Sequence, residues 1–201
     1  GSAIPGFGSL PAKVMGAKIA ATLRRANGEL WFASASYGII IRYPNGTTRL
    51  LNSDNTPFLR DNYVCTLFED HRHRVWIGER SGLAVAVNAR QGQHLSLSAD
   101  GQPITRCDVR GITEDHKGTI WVSTDDEGII AIDGNVSPAM AASHCVQFSP
   151  RQGTMAVNEV TACLEDHKHR LWAVSPSGGL FLYDNVQNCF VDKNRTFDIH
   201  G

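Results

Sequence analysis

An all-β chain, built of one four-stranded antiparallel sheet used four times over, is what this sequence predicts, on three observations. Trp31, Trp76, Trp121 and Trp172 stand 45, 45 and 51 residues apart, and self-similarity at such a period marks a repeat architecture. Three of them close the string Glu-Asp-His-x-x-x-x-Trp, at Glu69-Asp70-His71, Glu114-Asp115-His116 and Glu165-Asp166-His167. Aligned on tryptophan, the copies share apolar columns. Ile19, Val64, Val109 and Val160 stand twelve residues before it; Val14, Leu59, Ile104 and Met155 stand seventeen before. Leu30, Val75, Ile120 and Leu171 precede it directly, and Phe32, Ile77, Val122 and Ala173 follow. In the first copy Arg24-Arg25-Ala26 replaces the acidic string while the apolar columns stay. That copy reads as a true repeat with a divergent turn.

The third copy shows the elements in order. Val109 to Glu114 is a short strand, and Asp115-His116-Lys117-Gly118 is a turn. Thr119 to Thr124, rich in β-branched and aromatic residues, is a second strand. A turn from Asp125 to Gly128 leads into Ile129 to Asp133, and a last strand falls at His144 to Phe148. Four short strands per period, divided by Gly, Asp and Asn turns, predict hairpin-connected β structure. Units of this length are those of β-propeller blades. The expected layout is a lead over residues 1–16, with Gly1-Ser2 a cloning remnant, then blades over 17–58, 59–103, 104–153 and 154–201.

Turn chemistry agrees. Asp70, Asp115 and Asp166 can each accept backbone N–H groups from further along a tight turn. Gly38, Gly82, Gly128 and Gly179 follow the second strand, where a hairpin requires positive φ. Ala21, Thr66, Gly111 and Ala162, ten residues before each tryptophan, are small, as crowding near a propeller axis demands. The tryptophans then fill the space between blades, each indole N–H needing one partner.

Composition removes several classes of function. Nineteen basic residues against twenty acidic ones give no electrostatic footprint for nucleic acid. No apolar run approaches the roughly 18 residues of a membrane helix. Residues 1–16 do not read as a signal peptide. The five cysteines, Cys65, Cys107, Cys145, Cys163 and Cys189, have no zinc-site spacing, and Cys65 and Cys163, in apolar strand-like segments, read as small buried hydrophobes.

Two tempting motifs resolve into turns and strands. The pairs His71/His73 and His167/His169 suggest a metal, but Gly28 and Gly118 hold the place of the second histidine in the other copies. A solvated turn position is therefore expected, with no metal and no cofactor. Each Glu-Asp pair points its two side chains to opposite faces of a strand, so it cannot straddle one glycosidic bond. No nucleophile elbow or phosphate loop is present, and no catalytic residue is assigned. Ligand-binding candidates are instead the loops that break the repeat. These are the turns between second and third strands and the segments that lead from blade to blade. They contribute Tyr37 for stacking, Arg60, Arg80 and Arg106 as forked donors, and Asp125, Asp126 and Asn158.

The string Val109…Glu114-Asp115-His116-Lys117-Gly118-Thr119-Ile120-Trp121-Val122-Ser123-Thr124…Gly128-Ile129-Ile130…Asp133 resembles the two-component regulator propeller repeat. It recurs as Asn158-Glu159-Val160…Glu165-Asp166…Leu171-Trp172…Gly179-Leu180…Tyr183-Asp184. The resemblance runs through nearly all the chain after residue 13. It implies the periplasmic sensor propeller of a hybrid histidine kinase/response regulator of Bacteroides-like bacteria, with a glycan-derived oligosaccharide as signal. Membrane attachment and the kinase would lie in other parts of such a protein. Four blades are fewer than that family's usual ring, so self-association through blade edges is expected. A protein-interaction scaffold without a small ligand is the alternative.

Overall fold

The computed structural model describes residues 10, 14, 16–105 and 107–194. The chain forms two compact units, Gly1–Leu95 and Ser96–Gly201. Each holds two four-stranded antiparallel sheets whose strands pair in chain order, the meander of a propeller blade.

In the first unit, blade 1 comprises β1 (Ile19–Arg24), β2 (Leu30–Ser34), β3 (Gly38–Arg42) and β4 (Thr48–Leu51). Blade 2 comprises β5 (Val64–Glu69), β6 (Val75–Glu79), β7 (Gly82–Asn88) and β8 (Gln91–His94). In the second unit a hairpin, β9 (Ser98–Ala99) and β10 (Gln102–Pro103), comes first. Blade 3 follows as β11 (Val109–Glu114), β12 (Thr119–Thr124), β13 (Ile129–Asp133) and β14 (Val146–Phe148), with the short helix α1 (Pro138–Ala142) ahead of β14. Blade 4 comprises β15 (Ala162–Glu165), β16 (Leu171–Ser175), β17 (Gly179–Asp184) and β18 (Cys189–Asp192). The β9–β10 hairpin bridges to Cys145, and so sits with blade 3.

The apolar columns become the cores. Val64, Val109 and Val160 are all fully buried, whereas Ile19 at the same place in blade 1 is 41% exposed. Trp31, Ile39, Ile41 and Leu51 of blade 1 pack with Val64, Leu67, Val75 and Ile77 of blade 2. In the second unit Trp121, Ile129 and Phe148 meet Leu171, Ala173, Phe181 and Phe190. Trp121 lies 5.7 Å from Phe148 and 5.2 Å from Tyr183, ring centre to ring centre, so the indole fills the junction between blades 3 and 4. Each such aliphatic side chain contributes about 1.5–3 kcal/mol by leaving water.

The small column has the reason the sequence suggests. The β11–β12 register shifts between Val109 and Gly111. A Cβ on Gly111 would stand 3.0 Å from the Thr161 carbonyl oxygen and 3.4 Å from the Ala162 Cα of the next blade. Gly111→Val is therefore expected to lower stability by about 1–3 kcal/mol, the cost of overpacking, read from the urea midpoint. Gly128 is constrained differently. Its φ is +74°, and a Cβ there would fall 2.1 Å from the Phe148 carbonyl oxygen.

The repeated acidic string splits its labour. Asp70 Oδ1 accepts the Arg72 and Arg74 amides, while Oδ2 accepts Arg74 Nε at 2.6 Å and the Trp76 indole at 2.8 Å. Asp115 does the same for Lys117, Thr119 and Trp121. Asp166 serves Lys168, Arg170 and Trp172. The Arg170 guanidinium, and after it the Trp172 indole, hold the Asp166 carboxyl well below the usual carboxylate range. The glutamate one residue earlier reaches the preceding blade instead. Glu69 accepts the Ala26 amide, and Glu165 accepts the His116 amide, each at 2.9 Å.

Blade 1 keeps this device with its charges exchanged. Arg25 takes the place of the aspartate, and Glu29 takes the place held by Arg74 and Arg170. Glu29 Oε2 accepts both Arg25 Nη1, at 3.1 Å, and the Trp31 indole, at 2.9 Å. The turn that reads as divergent in sequence is a mirror-charge version of the same clamp. In three of the four copies the arginine also stacks on its tryptophan, 5.5 Å from the Trp31 and Trp76 rings and 5.2 Å from Trp172.

Candidate functional site

In the first unit the β6–β7 turn and the segment entering β5 are locked together by a buried carboxyl. Glu79, with no solvent exposure, accepts the Arg60 and Asp61 amides at 3.1 and 3.0 Å through Oε2. Its Oε1 meets no partner among the described residues, and burial raises its pKa from 4.5 to about 7. His94 Nδ1 is likewise buried without a partner. Burial first, then the Arg60 charge, lower the His94 pKa from 6.5 to about 4.

Around this anchor the exposed groups gather. The Arg80 amide donates to the Tyr63 carbonyl, and its guanidinium lies 5.8 Å from the centre of the Tyr63 ring. Asp61 Oδ1 accepts the Tyr63 amide at 2.8 Å. Glu79 thus ties the segment carrying Arg60 to the turn carrying Arg80, and Arg80 packs against Tyr63, which sequence reasoning passed over. The motif Asp61-x-Tyr63 is the signal that could have found it, since the aspartate caps the tyrosine's own amide. Tyr37 lies in the β2–β3 turn. The adjoining Gly38 amide donates to the Asn62 carbonyl at 2.8 Å, which ties that turn to the segment carrying Arg60. The arrangement offers two cationic forks and an aromatic face, the donors that hold carboxylate-bearing and hydroxyl-rich molecules.

In the second unit the described candidate residues are engaged within the fold. Asp125 Oδ2 accepts Arg110 Nη2 at 2.8 Å, and Asp126 Oδ1 accepts the Asp108 amide at 3.2 Å. Both carboxylates are spent on holding the segment that enters β11. Asn158 serves through its backbone, its carbonyl accepting the Gly128 amide. Arg106 lies outside the described residues. The residue of that turn which faces a cleft is Glu127, not Asp125 or Asp126. Glu127 accepts Gln147 Nε2 at 2.7 Å, and Gln147 Oε1 accepts Gln152 Nε2 at 3.1 Å. With Arg151, Asp100 and Thr105 they line a polar cleft of about 280 Å³.

The histidine pairs sort as turn positions. His73 and His169 have φ of +61° and +58°, the left-handed region that Gly28 and Gly118 occupy in the other copies. Among the described residues the cysteines form no disulfide. Burial pushes Cys163 up to about 12 and Cys107 higher still, so neither is a nucleophile at neutral pH. Among the described residues no helix is long and apolar enough to cross a membrane.

Comparison with known proteins places this geometry. The sequence profile described as "Two component regulator propeller" matches residues 104–126. Histidine kinase P4 of Formosa agariphila is 30% identical over 168 residues, which is 79% of this chain and 12% of that protein. Among solved structures, the extracellular domain of a one-component system from B. thetaiotaomicron superposes with a TM-score of 0.73 at 17% identity, covering 88% of this chain and 25% of that one. The extracellular domain of a hybrid two-component system from the same organism gives 0.64 at 19% identity, covering 87% and 21%. A virginiamycin B lyase from Staphylococcus aureus gives 0.67 at 15% identity, covering 90% and 56%. An enzyme thus shares the blade architecture, so fold alone does not decide function. Residues 104–126 thus match the two-component regulator propeller repeat, and the same four-stranded sheet unit stands four times along the sequence.

Proposed function

We propose that this chain is a ligand-sensing propeller segment from the extracytoplasmic part of a hybrid two-component sensor. Its signal is a glycan-derived oligosaccharide carrying an acidic sugar. The observation that carries the reading is exposed Arg80 set beside the Tyr63 ring, with exposed Arg60 on the neighbouring loop that buried Glu79 fixes. A guanidinium pairs with a uronate carboxylate through two parallel hydrogen bonds, and a tyrosine face packs on a sugar ring. Support for the setting comes from the Formosa agariphila histidine kinase and from the extracellular domains of B. thetaiotaomicron sensors. The segment itself has no catalytic task, because its acidic pairs are engaged in the fold.

Calorimetric titration with neutral and uronate-containing oligosaccharides is the test. Binding of an acidic sugar, weakened about ten- to a hundredfold by Arg80→Ala and by Arg60→Ala, is expected, as for loss of a charged hydrogen bond. Arg151→Ala, in the second unit's cleft, should leave that affinity unchanged. If no sugar produces heat, or if both arginine variants bind as well as the parent, this reading fails.

Blade 4 supplies a second expectation. Leu164 and Val174, on one face of the β15–β16 pair, are 65% and 48% exposed. The residues in the place of Val174 in blades 1 and 3, Ala33 and Ser123, are fully buried. There the next blade covers them: Ala33 lies in the cluster with Val64 and Leu67, and Ser123 bonds Cys163. The face therefore fits another blade of this kind, presented by a second copy of the chain. Concentration-dependent association in sedimentation runs, abolished by Leu164→Glu, is the expected result; a monomer at all concentrations would contradict it.

A further inference from the structure

We infer that the junction of blades 3 and 4 is a binding site for a zinc-class divalent cation, formed by His116, Glu165 and His169. Glu165 comes from the end of β15, His169 from the turn after it, and His116 from the corresponding turn of blade 3. Glu165 Oε1 is in direct contact with His116 Nδ1 and lies 3.5 Å from His169 Nδ1. The two imidazoles lie with their centres 4.1 Å apart, tilted by 39° to one another. One donor atom from each residue falls within 4.8 Å of the others.

The carboxylate is aimed before any metal arrives. The His116 amide holds Glu165 Oε2 at 2.9 Å, which leaves Oε1 toward the rings. His169 is presented by its left-handed backbone, φ +58°, at a place where blades 1 and 3 have glycine. A tetrahedral zinc site needs bonds of about 2.0–2.2 Å, so its donors must close to about 3.3 Å from one another. The imidazoles, 39% and 61% exposed, have room to turn by that amount. Two imidazoles with one carboxylate suit zinc and its neighbours in the first transition row, and are poor ligands for magnesium or calcium. Three protein ligands leave a fourth position open.

The junction of blades 1 and 2 shows why a cation belongs here. Glu69 occupies the place of Glu165, accepts the Ala26 amide at 2.9 Å, and has His73 Nδ1 3.6 Å from its Oε1. The place of His116 is taken by Ala26, and Arg25 Nε sits 3.3 Å from the same Oε1. A positive charge built into the chain thus holds the first junction together. In blade 3 the residue at the place of Arg25 is Asp115, an acid, so the second junction has the same carboxylate without its guanidinium. Two histidines converge in its stead, and a bound metal supplies the charge that Arg25 supplies to the other junction.

The experiment is calorimetric titration of the chelator-treated protein with ZnCl2, with CoCl2 absorption spectra to report coordination and thermal unfolding to report stabilisation. One zinc per chain is expected, with the visible bands of tetrahedral or five-coordinate cobalt. At roughly 100-fold excess over the dissociation constant, Tm should rise by about 5–10 °C, while CaCl2 and MgCl2 leave it unmoved. His169→Gly installs the residue that blades 1 and 3 already carry there, and His116→Ala copies Ala26, so both variants keep the turn. Each should weaken zinc at least tenfold, whereas His73→Gly should not. The inference is overturned if zinc gives no heat, if both variants bind it as the parent does, or if calcium stabilises equally. These outcomes are independent of whether any sugar binds beside Arg80.

Discussion

Asp70→Ala is expected to destabilise the protein by about 3–5 kcal/mol, the range for removing one partner of a buried ion pair. The Asp70 side chain has no exposure, and its two oxygens accept four hydrogen bonds: two amides, the Arg74 guanidinium and the Trp76 indole. Alanine withdraws all four acceptors at once and leaves the fully buried Trp76 indole N–H without its partner. Asp70→Asn should recover little. Its amide nitrogen would face two donors, Arg74 Nε and the indole, where an acceptor is required. Asp115→Ala should cost less, about 1–3 kcal/mol, because Thr119 stands where Arg74 stands in blade 2 and no guanidinium is involved. Urea midpoints for the three variants check the order.

Glu79→Gln is expected to make the protein more stable than its parent at pH 7.5 by about 3 kcal/mol, and no more stable near pH 4. The sign follows from the raised pKa. Below the unfolded value, 4.5, the carboxyl carries its proton in both states and burial costs no charge. As pH rises from 4.5 toward 7 the unfolded chain releases the proton while the folded chain keeps it, so stability falls. Above 7 the loss is complete, a shift of two to three units at 1.36 kcal/mol each. His94 works in the opposite direction. Its pKa is lowered to about 4, so its contribution is present above 6.5 and lost as pH falls toward 4. Between about 4.5 and 6.5 the two slopes oppose one another, and each single variant should expose the other's. Urea titrations of the parent, Glu79→Gln and His94→Gln from pH 4 to 8 separate them. A parent-to-variant difference for Glu79→Gln that does not change with pH would contradict the buried-carboxyl account.

Much of the fold was legible because its determinants are local and repeated. Val109–Glu114, Thr119–Thr124 and Ile129–Asp133 are strands at the bounds the sequence predicts, since alternation and turn residues act within a few positions of each other. The left-handed place shared by Gly28, His73, Gly118 and His169 was legible for the same reason. Less legible was anything joining sequence-distant residues. Arg25 and Glu29 read as the loss of a motif, because a motif is a string and their ion pair is a geometry that survives exchange of the two charges. Asp125 and Asp126 looked available for a ligand; only the packing of β11 against their turn shows that Asp108 and Arg110 take them. Tyr63, Glu79 and Glu127 were passed over because partners seventeen to twenty residues away give them their roles. His116 meets His169 across a sheet junction, where the spacing His-x-His had pointed inside one turn.

The indole N–H signals of the four tryptophans in a 1H–15N spectrum test most directly that each indole is clamped by a carboxylate of its own turn. Asp70→Asn should move the Trp76 signal, Asp115→Asn that of Trp121 and Asp166→Asn that of Trp172. The Trp31 signal should answer instead to Glu29→Gln, as the charge-exchanged clamp requires. Indole signals that ignore the substitution in their own turn, or four that shift together whichever acid is changed, would contradict it.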